Sequence, residues 1–457
     1  MSIKSVNPVN GKLIKTYSED SEKVIAKKIK LGARAWEDWQ FTDFDLKAAL
    51  LNKTAEVLRE RKKELAALMA LEMGKPLKSG LEEVEKCAKV CEYYAANGEK
   101  FLKDEPVETE ASKSYVCFRP LGIVLAVMPW NFPFWQVFRF LAPGLMAGNC
   151  ALLKHSSNVT GCALAIEEVL KEAGFPDHVF QTLVISSKRV NQVIENPLVK
   201  AVTLTGSTGA GIQVARQAAS LLKKTVLELG GSDPYLVLED ADLEYAAEIC
   251  AQSRLINNGQ SCIAAKRFIL VRSIEKKFLK IFKEKMSEKK TGDPFAPQTD
   301  LGPMARTDLR DELHQQVLDN IQAGAKCLLG GYIPDPKGKH AYYIPTILTG
   351  IKKGMPAYTE ELFGPVALVF SAKNTADAIR IANDSSFGLG AAVFSKDIAS
   401  GEKIAEGLLN AGSCFVNTLV KSDPRLPFGG INQSGYGREL GLFGIREFVN
   451  IKTVYVR

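Results

Sequence analysis

The chain has 457 residues, of which 46% are hydrophobic and 24% charged, with 36 glycines and 20 prolines. This length and balance predict about three compact units, and they exclude a peptide hormone, a fibrous protein and a disordered chain. The 59 Lys and Arg residues exceed the 52 Asp and Glu residues, but their charges are interspersed and form no long basic block. The composition is therefore compatible with a small anionic ligand and gives no support for a nucleic-acid partner, so we expect none.

Cysteine and histidine usage indicates the compartment and the metal content. The nine cysteines form no CxxC pair, which predicts free thiols in a reducing compartment. The four histidines lie far apart, no HExxH motif occurs, and we expect no metal site. The N-terminal segment has no apolar run of the secretory type, so we expect a cytoplasmic protein.

In chain order, the first hundred residues look helical. Residues 44–76 space their apolar side chains near the helical period and end in Gly74 and Pro76, which predicts a helix stop at Gly74. Ser79 and Glu82 form an S-x-x-E capping box, which predicts that the next helix begins at Ser79.

Residues 120–138 carry no charge and approach the length of a membrane span. Pro129 and Pro133 remove backbone donors in the middle of this stretch and disfavour one continuous helix. We predict a buried strand, a turn and then a helix here, and no membrane contact.

From about residue 121, short apolar runs alternate with helical patterns. This alternation predicts βαβ units in a mostly parallel, doubly wound sheet, and a second series of the same kind runs from about residue 231 to 430. The sequence thus predicts an α/β fold with two such domains. Residues 102–120 and the C-terminal IKTVYVR alternate like exposed strands that need a partner.

A glycine-containing turn follows one predicted strand in AVTLTGSTGAG, residues 201–211. Gly206 and Ser207 leave backbone N–H groups and a helix dipole free to meet a phosphate. The segment lacks the GxGxxG fingerprint, so an ordinary tight turn stays open as the alternative.

Three further segments carry candidate catalytic groups. Glu228 in VLELGGSDP lies between apolar residues, where a carboxyl with a raised pKa could act as a base; a paired structural acid is the alternative. Cys262 in NNGQSCIAAKR follows a polar turn and is a candidate nucleophile, against an inert cysteine. Asn131 in PWNFPFW offers a rigid amide donor of the kind that an oxyanion needs.

Together these segments resemble the aldehyde dehydrogenase superfamily. The motifs PWNFP, LELGG, GQ-x-C around Cys262, ELFGP at 361–365 and PFGG-x-x-x-SG-x-GRE at 427–439 occur in the order and at the spacing of that family. The resemblance runs from end to end and is strongest to the succinate-semialdehyde dehydrogenases that use NAD(P)⁺.

The resemblance implies an aldehyde dehydrogenase-like fold, with two Rossmann-like α/β domains and a small β oligomerisation flap. Residues 1–101 and 121–230 would form the dinucleotide-binding domain, and residues 231–432 the catalytic domain. Residues 102–120 and 433–457 would form the oligomerisation segments of a homodimer or homotetramer.

The resemblance also implies the catalytic roles. Cys262 would attack the aldehyde to form a thiohemiacetal, whose oxyanion the Asn131 side chain and the Cys262 backbone N–H would hold. Glu228 would activate the water that hydrolyses the resulting thioester. Its presence favours release of a free acid over transfer of the acyl group to coenzyme A.

For the cofactor, the family pattern implies a set of residues around the dinucleotide: Trp130, Lys154, Ser157, Gly206, Ser207, Leu229, Gly230, Glu361 and Phe363. NAD-selective relatives often carry Glu at the position of Ser157, where it repels a 2′-phosphate. A neutral hydroxyl beside Lys154 and His155 removes that repulsion, so we expect NADP, with NAD also accepted.

For the substrate, Arg139 matches a position where succinate-semialdehyde dehydrogenases carry Arg, and it could hold a substrate carboxylate bidentately. A second Arg of many such enzymes is replaced here by Ile256. Ser422 and Arg425, in the loop that closes over the substrate in the family, could substitute for it. Ala264 stands where some relatives have a second Cys, so we expect no local disulfide switch.

The predicted reaction is the oxidation of succinate semialdehyde to succinate. Glutarate semialdehyde is the nearest alternative substrate, because one methylene changes binding by only about 1–3 kcal/mol. A general aliphatic or aromatic aldehyde enzyme is the next alternative. A non-catalytic scaffold and a cofactor-free thiol hydrolase are the alternatives from other classes.

Overall fold

A computed structural model of the chain describes residues 2–457, and its strands alternate with helices from β5 onward, as the sequence predicts. The helices are α1 (Glu22–Trp39), α2 (Phe44–Glu60), α3 (Lys62–Met73), α4 (Leu77–Leu102), α5 (Trp135–Met146), α6 (Thr160–Glu172), α7 (Val190–Glu195), α8 (Thr208–Ala219), α9 (Leu243–Leu255), α10 (Arg272–Ser287), α11 (Thr307–Gln322), α12 (Pro356–Thr359), α13 (Thr375–Asn383), α14 (Ile398–Gly407) and α15 (Gly441–Arg446). The strands are β1 (Ser2–Val6), β2 (Leu13–Ser18), β3 (Glu105–Pro106), β4 (Lys113–Pro120), β5 (Ile123–Met128), β6 (Cys150–His155), β7 (Phe180–Thr182), β8 (Val199–Thr205), β9 (Lys224–Glu228), β10 (Pro234–Val237), β11 (Arg267–Val271), β12 (Lys326–Leu329), β13 (Thr346–Thr349), β14 (Val366–Ala372), β15 (Gly390–Phe394), β16 (Ser413–Val416), β17 (Gly435–Tyr436) and β18 (Val449–Val456).

The first sheet has six strands in the order β17-β9-β8-β5-β6-β7. All neighbours in it are parallel except β17, which pairs antiparallel to β9. The carboxyl ends of its parallel strands meet at one edge, where ligands bind in open α/β sheets. Met128, Thr205 and Glu228 end three adjacent strands, so PWNFP, GSTG and LGG all emerge at this edge.

The second sheet has seven strands in the order β12-β13-β14-β11-β10-β15-β16, and only β12 is antiparallel to its neighbour. Its central strand β11 is buried along its whole length, which is typical of a parallel sheet covered on both faces. The two sheets confirm the predicted α/β fold.

A third sheet joins β18, β4 and β3, all antiparallel. The two segments that were expected to need a partner thus pair with each other. The third sheet corresponds to the predicted oligomerisation flap. The assignment of residues 433–457 to this flap does not hold for the strand β17. Gly435 and Tyr436 of β17 lie against β9 and so belong to the first sheet, and the flap strand begins at Val449.

The N-terminal hundred residues differ from the prediction in two places. Residues 2–18 form the antiparallel hairpin β1-β2 and are not helical. The helix stop is confirmed, since α3 ends at Met73 and Gly74 follows with φ 75°. The predicted helix start at Ser79 is wrong. The helix α4 begins two residues earlier, at Leu77, directly after Pro76, and Ser79 lies inside its first turn.

Residues 120–138 form the end of β4, then β5, a turn and the start of α5, as predicted. Over the described residues, no helix combines the length and the apolarity needed to cross a membrane. The cysteines of residues 2–457 all have free thiols. This same range holds no group of three or more His, Cys, Asp or Glu side chains arranged to bind a metal ion.

Candidate active site

Cys262 lies at the end of a tightly wound loop that follows α9. Asn257, Asn258 and Gly259 have φ values of 53°, 58° and 76°, all in the left-handed region that Asn and Gly tolerate best. The Asn257 amide Nδ2 donates to the carbonyl of Asn131 at 2.7 Å and to that of Gln260 at 3.0 Å. The loop is thereby fastened to the PWNFP turn. Asn257 was missed as a site residue, although the NNG run is a signal for left-handed backbone.

Cys262 lines two neighbouring cavities. The first has a volume of about 180 Å³ and the second about 240 Å³. The Cys262 thiol therefore lies where a molecule bound in one cavity meets a molecule bound in the other.

The second cavity collects most of the residues that were expected around the dinucleotide. Its wall consists of Pro129, Trp130, Asn131, Thr205, Gly206, Ser207, Leu229, Gly230, Cys262, Leu309, Glu361 and Phe363. The Ser207 hydroxyl accepts a hydrogen bond from the Ala210 N–H and begins α8, so the predicted strand-to-helix turn is present. The positive end of the α8 dipole thus faces this end of the cavity.

Glu361 is held by two contacts at the edge of the second cavity. Its Oε1 accepts from the Gly231 N–H at 3.1 Å and pairs with the Lys266 ammonium at 3.0 Å. Neither contact uses Oε2, which can still accept a hydrogen bond from a hydroxyl group. A Cβ at position 230 would collide with Oε2 of this carboxylate, so a side chain here would displace the Glu361 carboxylate.

Lys266 is a site residue that sequence reasoning missed. It is fully buried, and its ammonium donates to the carbonyls of Ser261 at 2.8 Å and Cys262 at 2.6 Å. Lys266 therefore fixes the orientation of the peptide that carries the thiol. It lies four residues after Cys262, and nothing in the sequence distinguishes it from an ordinary strand-edge lysine.

Lys154 and Ser157 are not in the wall of the second cavity. Lys154 is the next-to-last residue of β6, its side chain is mostly buried, and burial lowers the pKa of its ammonium. Ser157 is exposed and begins a short 3-10 helix just beyond β6. His155 does not share this surface. Its Nε2 donates to the carbonyl of Pro133 at 2.8 Å, its Nδ1 accepts from the Ser156 N–H at 2.9 Å, and burial lowers its pKa to about 4.

The first cavity is aromatic and cationic. Its wall consists of Lys75, Ser79, Glu82, Glu83, Lys86, Phe132, Trp135, Gln136, Arg139, Ile256, Asn257, Ser261, Cys262, Ile263, Val420, Lys421, Ser422 and Phe428. Its volume is below the range of roughly 300–1,000 Å³ that is typical of drug-sized ligands. The cavity therefore suits a molecule of a few carbon atoms that carries negative charge.

Arg139 lies in this wall, but its guanidinium is not free. It pairs with the buried carboxylate of Glu439 and lies 4.6 Å from the centre of the Phe428 ring. A third contact is a 3.4 Å hydrogen bond to the Thr205 hydroxyl. The prediction of a free bidentate clamp is not what the structure shows. Glu439 could not have been found, because it is 300 residues away in the chain.

The remaining predicted substrate residues divide between the cavity and the surface. Ser422 lies in the wall and is 5% exposed. Arg425 does not line the cavity; its side chain is 75% exposed and pairs with Asp423, so the geometry argues against a role in substrate binding. Ile256 lines the cavity, whereas Arg254 is buried and donates to the carbonyl of Gly259, facing elsewhere as expected.

Two hydrogen-bond donors beside the thiol are available for an oxyanion. The Asn131 Nδ2 uses one hydrogen on the carbonyl of Gln260 at 3.2 Å and keeps the second. Its Oδ1 accepts from the Phe132 N–H, which fixes the orientation of the amide. The backbone N–H of Cys262 donates to no acceptor within residues 2–457.

Burial governs the ionisation of both catalytic candidates. It raises the pKa of the Cys262 thiol to about 12, although the positive charges of Arg139 and Lys266 act in the opposite direction. Burial likewise raises the pKa of the Glu228 carboxyl well above its ordinary value, against the opposing charge of Arg139. Glu228 is 2% exposed and lines neither cavity, and its Oε1 has no partner among the described residues. The resting thiol is therefore protonated, with a high-pKa carboxyl close by.

The chain is similar to known proteins over its whole length. Two similar proteins are the probable succinate-semialdehyde dehydrogenase (NADP⁺) of Synechocystis sp., 48% identical over 456 residues, and the succinate-semialdehyde dehydrogenase (NADP⁺) 1 of Mycobacterium tuberculosis, 46% identical over 459 residues. Both alignments cover 100% of this chain and 100% of the relative.

Solved structures and a family profile agree as well. The succinic semialdehyde dehydrogenase of Streptococcus pyogenes, in complex with NADP⁺, superposes with a TM-score of 0.97 at 34% identity and covers 99% of each chain. Gox0499, studied for its cofactor and substrate selection, superposes with a TM-score of 0.97 at 37% identity over 100% of each chain. The profile of the aldehyde dehydrogenase family matches residues 1–454. This chain belongs to the aldehyde dehydrogenase family.

Proposed function

We propose that this protein oxidises succinate semialdehyde to succinate with NADP⁺. The observation that carries the proposal is the position of Cys262 between two cavities, one small and cationic and the other lined by the expected dinucleotide residues. A short aldehyde with a carboxylate fits the size and charge of the first cavity. The names of the similar proteins point to the same substrate and cofactor.

The first half of the reaction takes place at the Cys262 sulfur. In its ionised form, after its own proton has gone to solvent, Glu228 takes the proton of the thiol. The thiolate attacks the aldehyde carbon, so that the carbonyl electron pair moves to the oxygen. The free hydrogen of Asn131 Nδ2 and the free Cys262 N–H hold the oxyanion of this thiohemiacetal. Bound NADP⁺ supplies the acceptor for the hydride that leaves this carbon, and a thioester on Cys262 results.

The second half is hydrolysis. Glu228, which holds the proton taken from the thiol, must release it before it can take one from water, and burial raises the pKa of this carboxyl. Water then attacks the thioester carbon, the C–S bond breaks, and the carboxylic acid leaves. Because Glu228 lines neither cavity in this conformation, its side chain has to turn toward Cys262. Gly429 lies beside its Oε1 and leaves room for this movement.

For the cofactor, we propose that the second cavity holds the nicotinamide half of NADP⁺. The unused Oε2 of Glu361 would accept from a ribose hydroxyl, and Trp130 and Phe363, packed edge to face at 5.8 Å, form the apolar wall. Lys154 and the exposed Ser157 would lie toward the adenosine 2′-phosphate. Neither residue carries a negative charge to repel it.

The test is a matrix of initial rates. Succinate semialdehyde, glutarate semialdehyde, butanal and benzaldehyde are each assayed with NADP⁺ and with NAD⁺, with Cys262→Ser as the inactive control. We expect the highest kcat/KM for succinate semialdehyde with NADP⁺ and a lower, measurable rate with NAD⁺. A higher kcat/KM for glutarate semialdehyde or for an uncharged aldehyde would overturn the substrate assignment.

Two further properties belong to the proposal. A cytoplasmic location is supported by the free thiols of all nine cysteines, which a reducing compartment preserves. A homodimer or homotetramer is supported by the flap, whose outer strand β18 carries exposed Ile451 and Tyr455.

A further inference from the structure

Lys86 is a cation of the first cavity that the sequence analysis did not single out. It lies on α4, and its ammonium donates to the Ser422 hydroxyl at 2.7 Å and lies 4.0 Å from the centre of the Trp135 ring. Two other cations of the wall are already neutralised, Lys75 by Glu83 and Arg139 by Glu439. Within the described chain, no carboxylate lies within ion-pair distance of the Lys86 ammonium.

The Ser422 hydroxyl completes this corner of the cavity. Its oxygen accepts from Lys86 and also from the Trp135 indole N–H at 3.1 Å, so both lone pairs are used. A serine hydroxyl has one hydrogen to donate, and this hydrogen has no acceptor in the range 2–457. The corner therefore offers a positive charge and a hydroxyl hydrogen side by side, which are the two groups that a carboxylate binds.

We propose that Lys86 and Ser422 bind the carboxylate of the substrate, with Lys86 as the residue that selects semialdehydes over uncharged aldehydes. This inference rests on the proposed function and adds the residue that recognises the far end of the substrate. Lys86 takes the role of the missing second arginine, whose position in the wall is occupied by apolar Ile256. Arg139, neutralised by Glu439, contributes packing and the field around Cys262.

The surroundings of Lys86 disfavour its positive charge, as expected for a cation that has no anionic partner until a ligand binds. Burial lowers the pKa of Lys86 to about 8, and the charge of Arg139 lowers it further, whereas Glu83 and Asp423 are too weak to compensate. A carboxylate placed beside the ammonium would raise the pKa of Lys86 again, since a nearby opposite charge favours the charged form.

The test compares succinate semialdehyde with butanal, which has the same four carbons and no carboxylate. In Lys86→Met we expect kcat/KM for succinate semialdehyde to fall about 10- to 100-fold, because one charge-assisted hydrogen bond is lost, mostly through KM. The value for butanal should stay within about twofold of the wild type. Lys86→Arg should restore part of the semialdehyde rate.

Two other lysines provide controls. Lys421 lines the same cavity but is exposed, and Lys89 lies on α4 with its side chain in solvent. Lys89→Met should leave both substrates unchanged. A larger loss in Lys421→Met than in Lys86→Met would overturn the assignment, as would equal losses for succinate semialdehyde and butanal in Lys86→Met.

The two proposals fail in different ways. If the wild-type enzyme does not prefer succinate semialdehyde to butanal, the proposed function is wrong. If the wild type has this preference and Lys86→Met retains it, only the assignment of Lys86 is wrong. Ser422→Ala gives a second measurement that does not remove the charge, and it should raise the KM for succinate semialdehyde alone.

Discussion

At the scale of single residues, the site combines a half-buried nucleophile with a buried carboxyl that is the candidate base. Cys262 and Glu228 both have pKa values that burial raises, and both are influenced by Arg139. In such a pair, burial favours the protonated form of both groups. We therefore expect reactivity of the thiol to depend on Glu228 and on the oxyanion donors.

Glu228→Gln separates the two halves of the reaction. The amide cannot accept a proton from water, so hydrolysis of the thioester should slow by about 10²–10⁴-fold, the usual contribution of a general base. If another group can deprotonate the thiol, a rapid-quench experiment should show one equivalent of acyl-enzyme per subunit. The absence of any acylation would instead mean that Glu228 is also the only base for Cys262.

The ionisation of Lys86 predicts a pH dependence of selectivity. With its pKa lowered to about 8, Lys86 carries its charge below pH 8 and loses it above, under the influence of Arg139, Glu83, Asp423 and Cys87. The ratio of kcat/KM for succinate semialdehyde to that for butanal should therefore fall as the pH rises through about 8. Titration of Cys262 affects both substrates and cancels in the ratio. A ratio that is flat from pH 6.5 to 9.5 would contradict this role.

At the scale of elements, the buried pair Lys75–Glu83 connects α4 to the turn before α5. Glu83 pairs with Lys75, and its Oε1 accepts the N–H groups of Phe134 and Trp135 at 2.9 and 3.0 Å. This carboxylate satisfies donors at the start of α5 that have no partner in the helix itself. It thereby fixes the turn that carries Asn131.

Glu83→Gln should be strongly destabilising, by about 3–5 kcal/mol, because it leaves the Lys75 charge buried and unpaired. Urea unfolding followed by tryptophan fluorescence measures the change. Glu56→Gln is the matched control, since its pair with Lys53 is 48% and 59% exposed, and it should cost less than about 1 kcal/mol. Equal effects of the two substitutions would refute the structural role of Glu83.

The left-handed loop before Cys262 gives a second prediction at this scale. Gly259 and Gly350 have nearly the same φ, 76° and 75°, but a Cβ at Gly259 would overlap the backbone of Gly364 and Pro365, whereas nothing lies within 4 Å of one at Gly350. Gly350→Ala should cost about 1–2 kcal/mol from backbone strain alone.

Gly259→Ala should lower the urea midpoint much further and abolish most activity, because the loop carrying the thiol must shift. If the two alanine variants unfold at the same urea concentration, the close contact between the loop and residues 364–365 is not what holds Cys262 in place.

At the scale of the whole molecule, the flap is the element expected to join subunits. Ile451 of β18 is 64% exposed. A large apolar side chain with this exposure is expected where a strand contacts another subunit. Ile451→Glu should shift sedimentation velocity profiles toward the monomer. Ile398→Glu, on the equally exposed start of α14, should not. A wild-type protein that sediments as a monomer would contradict an oligomeric enzyme.

The sequence was sufficient for the fold, and its motifs were sufficient to propose catalytic residues. Strand and helix alternation predicted both sheets, and Cys262, Glu228 and Asn131 were identified because each lies in a motif with a recognisable local chemistry. What could not be predicted depends on contacts between distant segments. Lys86 meets Ser422 across 336 residues, and no local pattern distinguishes a cavity lysine from a surface lysine on α4.

Arg139 is a second case in which a contact with a distant segment could not be predicted. Its position on the helix after PWNFP correctly placed it in the cavity wall, but its partner Glu439 comes from the far end of the chain. The N-terminal hairpin β1-β2 was missed for a different reason: its pairing is local, but its strands are short.

The central claim is that this aldehyde dehydrogenase recognises its substrate by a carboxylate. The most direct test is the kcat/KM of the wild-type enzyme for succinate semialdehyde and for butanal, both with NADP⁺ at pH 7. We predict a preference of at least about 10²-fold for succinate semialdehyde, as expected when a site built for a charged group meets an analogue that lacks it. Equal values for the two aldehydes would contradict the account.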